Sequence, residues 1–224
     1  MKVPRCPHRW NVSPVKAVEI QRKLADLVRE AALPAAPRLV AGADMAITHD
    51  GRHCIAGVVV WDWRAGTTVE QQNARRLLSF PYVPGLLSFR EAPAVLAAIR
   101  KLKHQPDLFM LDGQGRAHPR GIGLASHIGL ILDRPTLGCA KSRLCGESKD
   151  PGAARGRRAT LRLDGRIIGA VVRTRDHVKP VYVSVGHRIT LDDAVDWVLR
   201  CCRSFRLPEP TRLAHHYVTR LRLQ

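Results

Sequence analysis

Apolar residues recur along this chain with two distinct periods. Behind Ser13-Pro14 they stand at positions 15, 18, 20, 24, 27 and 28, the spacing of one helical face, with a serine cap and a proline in the first turn. This predicts an amphipathic helix that runs to Leu33 and is stopped by Pro34 and Pro37. The period then changes. Leu39 to Ala46 (LVAGADMA) reads as a strand with Asp44 near its end, and the Asp50-Gly51 turn leads into a second strand, CIAGVVVWDW, at 54–63. Thr67 to Leu78 reads as a third strand, polar enough to lie half exposed, so three antiparallel strands form a meander.

Two prolines within FPYVPG, residues 80–85, exclude regular structure there. Ser88 to Glu91 opens a helix with apolar positions at 95, 96, 99 and 102, and Leu108 to Leu111 is a short, wholly apolar run that fits a buried strand. A helix near 123–132 and a strand from Pro135 to Ala140 follow. A hairpin at 159–173 turns on Asp164-Gly165, and another strand lies at 180–185. Thr190 to Asp193 has the form of a capping box before a helix at 194–202, and a basic helix spans Pro208 to Leu223. No repeat, linker or low-complexity tract separates these pieces, which predicts a single domain over residues 1–224. Three antiparallel strands, then helix, strand, helix and strand, is the order of the ribonuclease H-like α/β fold: a mixed central sheet with helices on both faces.

Charge narrows the function. Lys and Arg number 37 against 19 Asp and Glu, a formal charge of +18 spread over the whole chain. Such a field attracts polyanions, nucleic acid above all. No stretch approaches the length of a membrane span, and MKVPRCPHRW has no apolar signal region. Six cysteines without a CxxC pair argue against a zinc ribbon and for reduced thiols in a cytoplasmic protein.

The candidate chemistry starts at Asp112, where a buried strand ends in one carboxylate followed by Gly113, Gly115, Gly121 and Gly123. A carboxylate there is costly to desolvate unless a cation meets it, and open α/β sheets bind ligands at that edge. Asp44 ends the first strand, and if the two strands are neighbours the carboxylates converge on a site suited to Mg2+. Glu91 is the natural third ligand, although Ser88 and Glu91 also have the spacing of a capping box. Tyr82, between Pro81 and Pro84, is either a rigid aromatic for wedging between bases or ordinary surface packing. His118 and Lys141 could position phosphate or water or stand as solvated charges, and spacing does not decide between His215 and His216 as a metal neighbour.

VAGADMA at 40–46, FPYVPGLLSFRE at 80–91, DGQGRAHPRGIGLASHIG at 112–129 and GCAKSRLCG at 138–146 together resemble the endonuclease V family, the deoxyinosine 3′ endonucleases. RTRDHVKPVYVSVGHRITL at 173–191 and LPEPTRLAH at 207–215 extend the resemblance over nearly the whole chain. Val185, where proline is common, and Cys139 and Cys145 depart from the family pattern. The resemblance implies that Asp44, Glu91 and Asp112 are metal-binding catalytic acids completed by His215, with Lys141 near the scissile phosphate and His118 in the active-site loop. It implies a strand-separating wedge at Tyr82, flanked by Pro81, Val83 and Pro84, and a lesion pocket that includes Gly85, Gly113, Leu124 and Leu144. It also implies a monomeric enzyme using Mg2+, with Mn2+ able to substitute, that cuts DNA at the second phosphodiester 3′ to deoxyinosine and leaves 3′-hydroxyl and 5′-phosphate ends. The alternatives are a ribonuclease specific for inosine in single-stranded RNA, and a non-catalytic inosine-binding module.

Overall fold

The structure, a computed structural model, describes residues 1–223. It is built on one eight-stranded mixed sheet. β1 (Leu39–Ile47), β2 (His53–Asp62) and β3 (Thr67–Leu77) form the antiparallel meander, and β4 (Leu108–Leu111) and β5 (Thr136–Ala140) continue the sheet in parallel beyond β1. β6 (Arg158–Leu163), β7 (Arg166–Val172) and β8 (Val181–His187) extend the far side, giving the order β3-β2-β1-β4-β5-β8-β7-β6. The ribonuclease H-like α/β class expected from the element order is the fold observed, and the hairpin and the strand after it add three strands past β5.

Helices cover both faces. α2 (Leu87–Arg100) and α3 (Leu124–Leu132) pack Val95, Ile99 and Ile128 on one side. α4 (Leu191–Cys201) seals the other with Val195, Trp197 and Val198 against β5, β7 and β8. Each such side chain contributes roughly 1.5–3 kcal/mol of burial. Thr190 caps α4 as its sequence predicts, its hydroxyl accepting from the Asp193 amide at 3.1 Å. No helix among the described residues is long and apolar enough to cross a membrane.

Two local expectations are corrected. The first helix, α1, spans only Pro14–Ala25. Leu27 and Val28 fit the period, but their amides turn back to the Leu24 and Ala25 carbonyls, so Val28 is buried by a turn while Leu27 is left 56% exposed. The capping box at Ser88 and Glu91 does not form either. Leu86 closes a turn on Val83 and α2 begins at once, placing Ser88 inside the helix with its hydroxyl on His127 Nδ1 at 3.0 Å.

α5 (Glu209–Arg222) is mostly polar, yet it lies directly on β1 and β2. Gly42 is what permits this: a Cβ there would stand 2.0 Å from the Pro210 carbonyl oxygen. Backbone cannot yield as a side chain tip can, so Gly42→Ala is expected to lift the start of α5, destabilise the protein by about 1–3 kcal/mol and lower any activity that depends on α5. Urea unfolding measures the first effect, and an unchanged midpoint would show that α5 is not seated on this contact.

Candidate active site

β1 and β4 run parallel with Ala43 opposite Leu111, so the residues that follow, Asp44 within β1 and Asp112 just past β4, stand side by side where the pairing of the two strands ends. Asp44 accepts from its own Met45 amide at 2.8 Å and meets His215 Nδ1 of α5 at 2.7 Å. Asp112 is paired with Lys141, just past the end of β5, at 2.5 Å. Glu91 reaches the same place from α2, half-buried, on the other face of the sheet. Three elements and two faces thus deliver three carboxylates to one edge. It is His215 that meets the acids; the ring of His216 lies 6.3 Å from that of His215.

The electrostatics of the cluster are those of excess negative charge. Burial, then the charges of Asp44 and Asp112, push Glu91 up to about 8. Burial also raises Asp112, against the opposing pull of Lys141. Burial disfavours the Lys141 ammonium, but its hydrogen bond to Asp112 and the charges of Asp112 and Asp44 outweigh this and raise its pKa. Among the described residues no three His, Cys, Asp or Glu side chains form a ready-made metal-binding group. Lys141 and His215 hold the carboxylate oxygens instead. The donor set nevertheless fits a divalent cation, because all-oxygen ligands with uncompensated negative charge are what hard cations take.

Beside the acids lies a cavity of about 350 Å³, within the range of small-ligand sites. Val83, Pro84 and Gly85 form one wall, Gly113 and Leu124 another, and Lys141 and Leu144 a third. Tyr82, 71% exposed, stands at its rim, preceded by the exposed Pro81. The sequence-predicted residues therefore converge, except that Pro81 does not line the cavity. A larger cavity of about 590 Å³ lies between the β6–β7 hairpin and the start of α4, but its charges are already matched in the pairs Arg116–Glu30 and Arg158–Asp192, at 2.7 Å each.

His118 differs from expectation. It is buried, its Nδ1 accepts from the Arg120 amide at 3.1 Å, and its Nε2 donates to the Gly85 carbonyl at 2.9 Å. Burial pushes its pKa down to about 4, so the ring is neutral and both nitrogens are engaged.

Three further residues escaped the sequence reading. Gln21 of α1, only 1% exposed, reaches the Gly85 carbonyl, and its place on the helical face of Ala17 and Leu24 was the available signal. Gln114 spans the cavity wall to donate to the Ser142 carbonyl at 3.0 Å, leaving its buried Oε1 with no partner among the described residues. Arg206 holds the Lys141 carbonyl at 2.7 Å and the Pro180 carbonyl at 2.8 Å, which fixes the backbone that aims Lys141.

Acids at this edge of this sheet, in so basic a chain, mark the molecule as a nuclease of the ribonuclease H-like class. The sequence model of the endonuclease V family matches residues 22–216, and the chain belongs to that family. Endonuclease V of Gloeobacter violaceus is 48% identical over 97% of this chain and 92% of its own length. The crystal structure of the Streptomyces avermitilis endonuclease V superposes with a TM-score of 0.90 at 40% identity, covering 98% of this chain and 97% of that one. That of Bacillus subtilis gives 0.93 at 31% identity, covering 100% and 98%.

Proposed function

We propose that this endonuclease acts on DNA containing deoxyinosine, hydrolysing the second phosphodiester bond 3′ to the lesion and leaving 3′-hydroxyl and 5′-phosphate ends. The observation that carries this reading is the juxtaposition of the Asp44, Glu91 and Asp112 cluster with a base-sized cavity rimmed by an exposed tyrosine. Hypoxanthine pairs weakly, so extruding it costs less than extruding a normal base, and Tyr82 fills the gap it leaves. The flipped base enters between Gly85, Gly113 and Leu124, where backbone groups read its edge.

Asp44, Asp112 and Glu91, with His215 beside Asp44, are the residues that would hold Mg2+ or its substitute Mn2+. When bound, the ion supplies charge neutralisation at the phosphate and lowers the pKa of a water. Lys141 pairs with Asp112 in this structure, and with that carboxylate engaged by a cation its ammonium would be available to the charge that develops on the phosphate. Glu91 would have to lose its proton to serve as a ligand, and a cation that offset the charges of its two neighbours would favour that loss. The base itself stays in the nicked strand, so a later step must remove it. The protein works as a monomer in the cytoplasm, where its six free cysteines stay reduced.

The deciding experiment is cleavage of an end-labelled duplex carrying one deoxyinosine, in Mg2+ and in EDTA, beside an undamaged duplex and an inosine-containing RNA. The expected result is a Mg2+-dependent nick one nucleotide beyond the lesion. Tight binding without a nick in any divalent metal would overturn the reading, and preferential cutting of the RNA would reassign the substrate.

A further inference from the structure

The Gly85 carbonyl oxygen has two lone pairs and three donors: Gln21 Nε2 at 3.0 Å, His118 Nε2 at 2.9 Å and Arg120 Nη2 at 2.7 Å. The donors are themselves locked. Arg120 Nε donates to Gln21 Oε1 at 2.6 Å, which sets the orientation of that amide, and the Arg120 backbone N–H on His118 Nδ1 sets the tautomer of that ring. Gly85 sits at φ +78°, and a Cβ there would meet Arg120 Nη2 at 2.7 Å. The Gly85–Leu86 peptide also supplies the Leu86 N–H, which donates to the Val83 carbonyl at 2.9 Å. Val83-Pro84-Gly85-Leu86 is therefore a type II turn, with proline and a left-handed glycine at its centre, and the three donors polarise the peptide that closes it.

We infer that Gln21, His118 and Arg120 form a clamp on the Gly85 carbonyl that holds the turn rigid, making them positioning residues for Tyr82 and the cavity wall, and that His118 is no acid–base group. The inference rests on the functional reading above for its consequence in DNA, but the clamp itself does not. Tyr82 immediately precedes the turn, and Val83, Pro84 and Gly85 are the wall a flipped base meets. A wedge on a mobile loop spends binding free energy on being ordered; one on a clamped turn does not. His118 serves this role because it is neutral and doubly bonded, which leaves no nitrogen for a phosphate or a water. Nothing charged but Arg120 bears on its ring.

Two measurements test this. Hydrogen exchange of the Leu86 amide, with no substrate present, is expected to quicken at least tenfold in Gln21→Met and in His118→Ala while the interior of α2 keeps its protection. His118→Gln, whose amide can still donate to Gly85, is expected to restore it. Unchanged exchange in both variants would overturn the clamp. In single-turnover cleavage of deoxyinosine duplex, Gln21→Met and His118→Ala should raise the half-saturating enzyme concentration about tenfold, lower the saturated rate by threefold at most, and leave its pH profile in place. Loss of a limb of that profile in His118→Ala and His118→Gln alike would make His118 an acid–base group and overturn the assignment. If the unaltered protein neither binds nor cuts that duplex, the exchange result still decides the clamp, and the failure belongs to the substrate reading.

Discussion

Asp112→Asn is expected to reduce cleavage of a deoxyinosine duplex by on the order of a thousandfold or more, while affinity for the same duplex is held or improved. The first effect follows from its place: Asp112 ends β4 beside Asp44 and provides one of three carboxylates at the edge of the sheet. The second follows from Lys141. Its ammonium lies 2.5 Å from Asp112 and is 41% exposed, so removal of the carboxylate's charge frees a cation beside the cavity proposed to take the flipped base. Asp44→Ala should abolish cleavage equally, leaving His215 without its partner. Burst-free turnover assays and fluorescence anisotropy on one preparation separate the two effects. Cleavage within tenfold of the unaltered protein would remove Asp112 from the metal site, and a large loss of affinity would mean that Lys141 needs its partner to be aimed.

The second large effect concerns Glu91. Its folded pKa of about 8 stands above its ordinary value of 4.5. The unfolded chain therefore releases this proton at lower pH than the native protein does. Stability contributed by Glu91 is fully present below pH 4.5 and is lost as pH rises towards 8. Glu91→Gln carries no charge at any pH and removes this loss. Without metal, the variant should melt at the same temperature as the unaltered protein near pH 4.5 and clearly above it at pH 8. Mg2+ should reverse the order, because it stabilises only a protein that can offer the third carboxylate. Cleavage by the variant should fall at least a hundredfold. Melting curves at both pH values, with Mg2+ and with EDTA, give the answer. An equal Mg2+ response in the two proteins would exclude Glu91 as a ligand.

Much of this site was legible in the chain because its parts lie where hydrophobic patterns stop. Asp44 lies near the end of one apolar strand and Asp112 follows another, and the structure meets the condition set on them, that the two strands are neighbours. Tyr82 was marked by the prolines around it. What could not be read depends on contacts between segments far apart in sequence. Gln21 lies 64 residues from the carbonyl it holds: its place on the face of Ala17 and Leu24 marks it for burial, but nothing local names its partner. The Ser88 and Glu91 spacing suits a helix cap as well as a ligand, but a turn closed by Leu86 on Val83 starts the helix earlier, His127 takes the Ser88 hydroxyl, and Glu91 stands beside Asp44 and Asp112. The spacing left His118 open between a group for phosphate or water and a solvated charge, because its two hydrogen bonds, to Gly85 and from Arg120, are made by contacts that the spacing does not show. The β6–β7 hairpin and β8 were read as elements, but their attachment beyond β5 is set by the burial of Val181, Val183 and Val185 against α4.

An open sheet of eight strands ends in two edges, and an exposed edge is a template on which another chain can pair. On β3 the exposed positions include Arg75 and Arg76, and on β6 they include Arg158 and Arg162, where the bridge to Glu147 already occupies part of the edge. Register shifts at Val60/Trp61 and Leu161/Arg162 twist both edges away from flatness. Two copies approaching edge to edge would set guanidinium against guanidinium. The surplus of arginine thus also guards against aggregation, and the guard is weakest where many copies crowd on a polyanion that neutralises it.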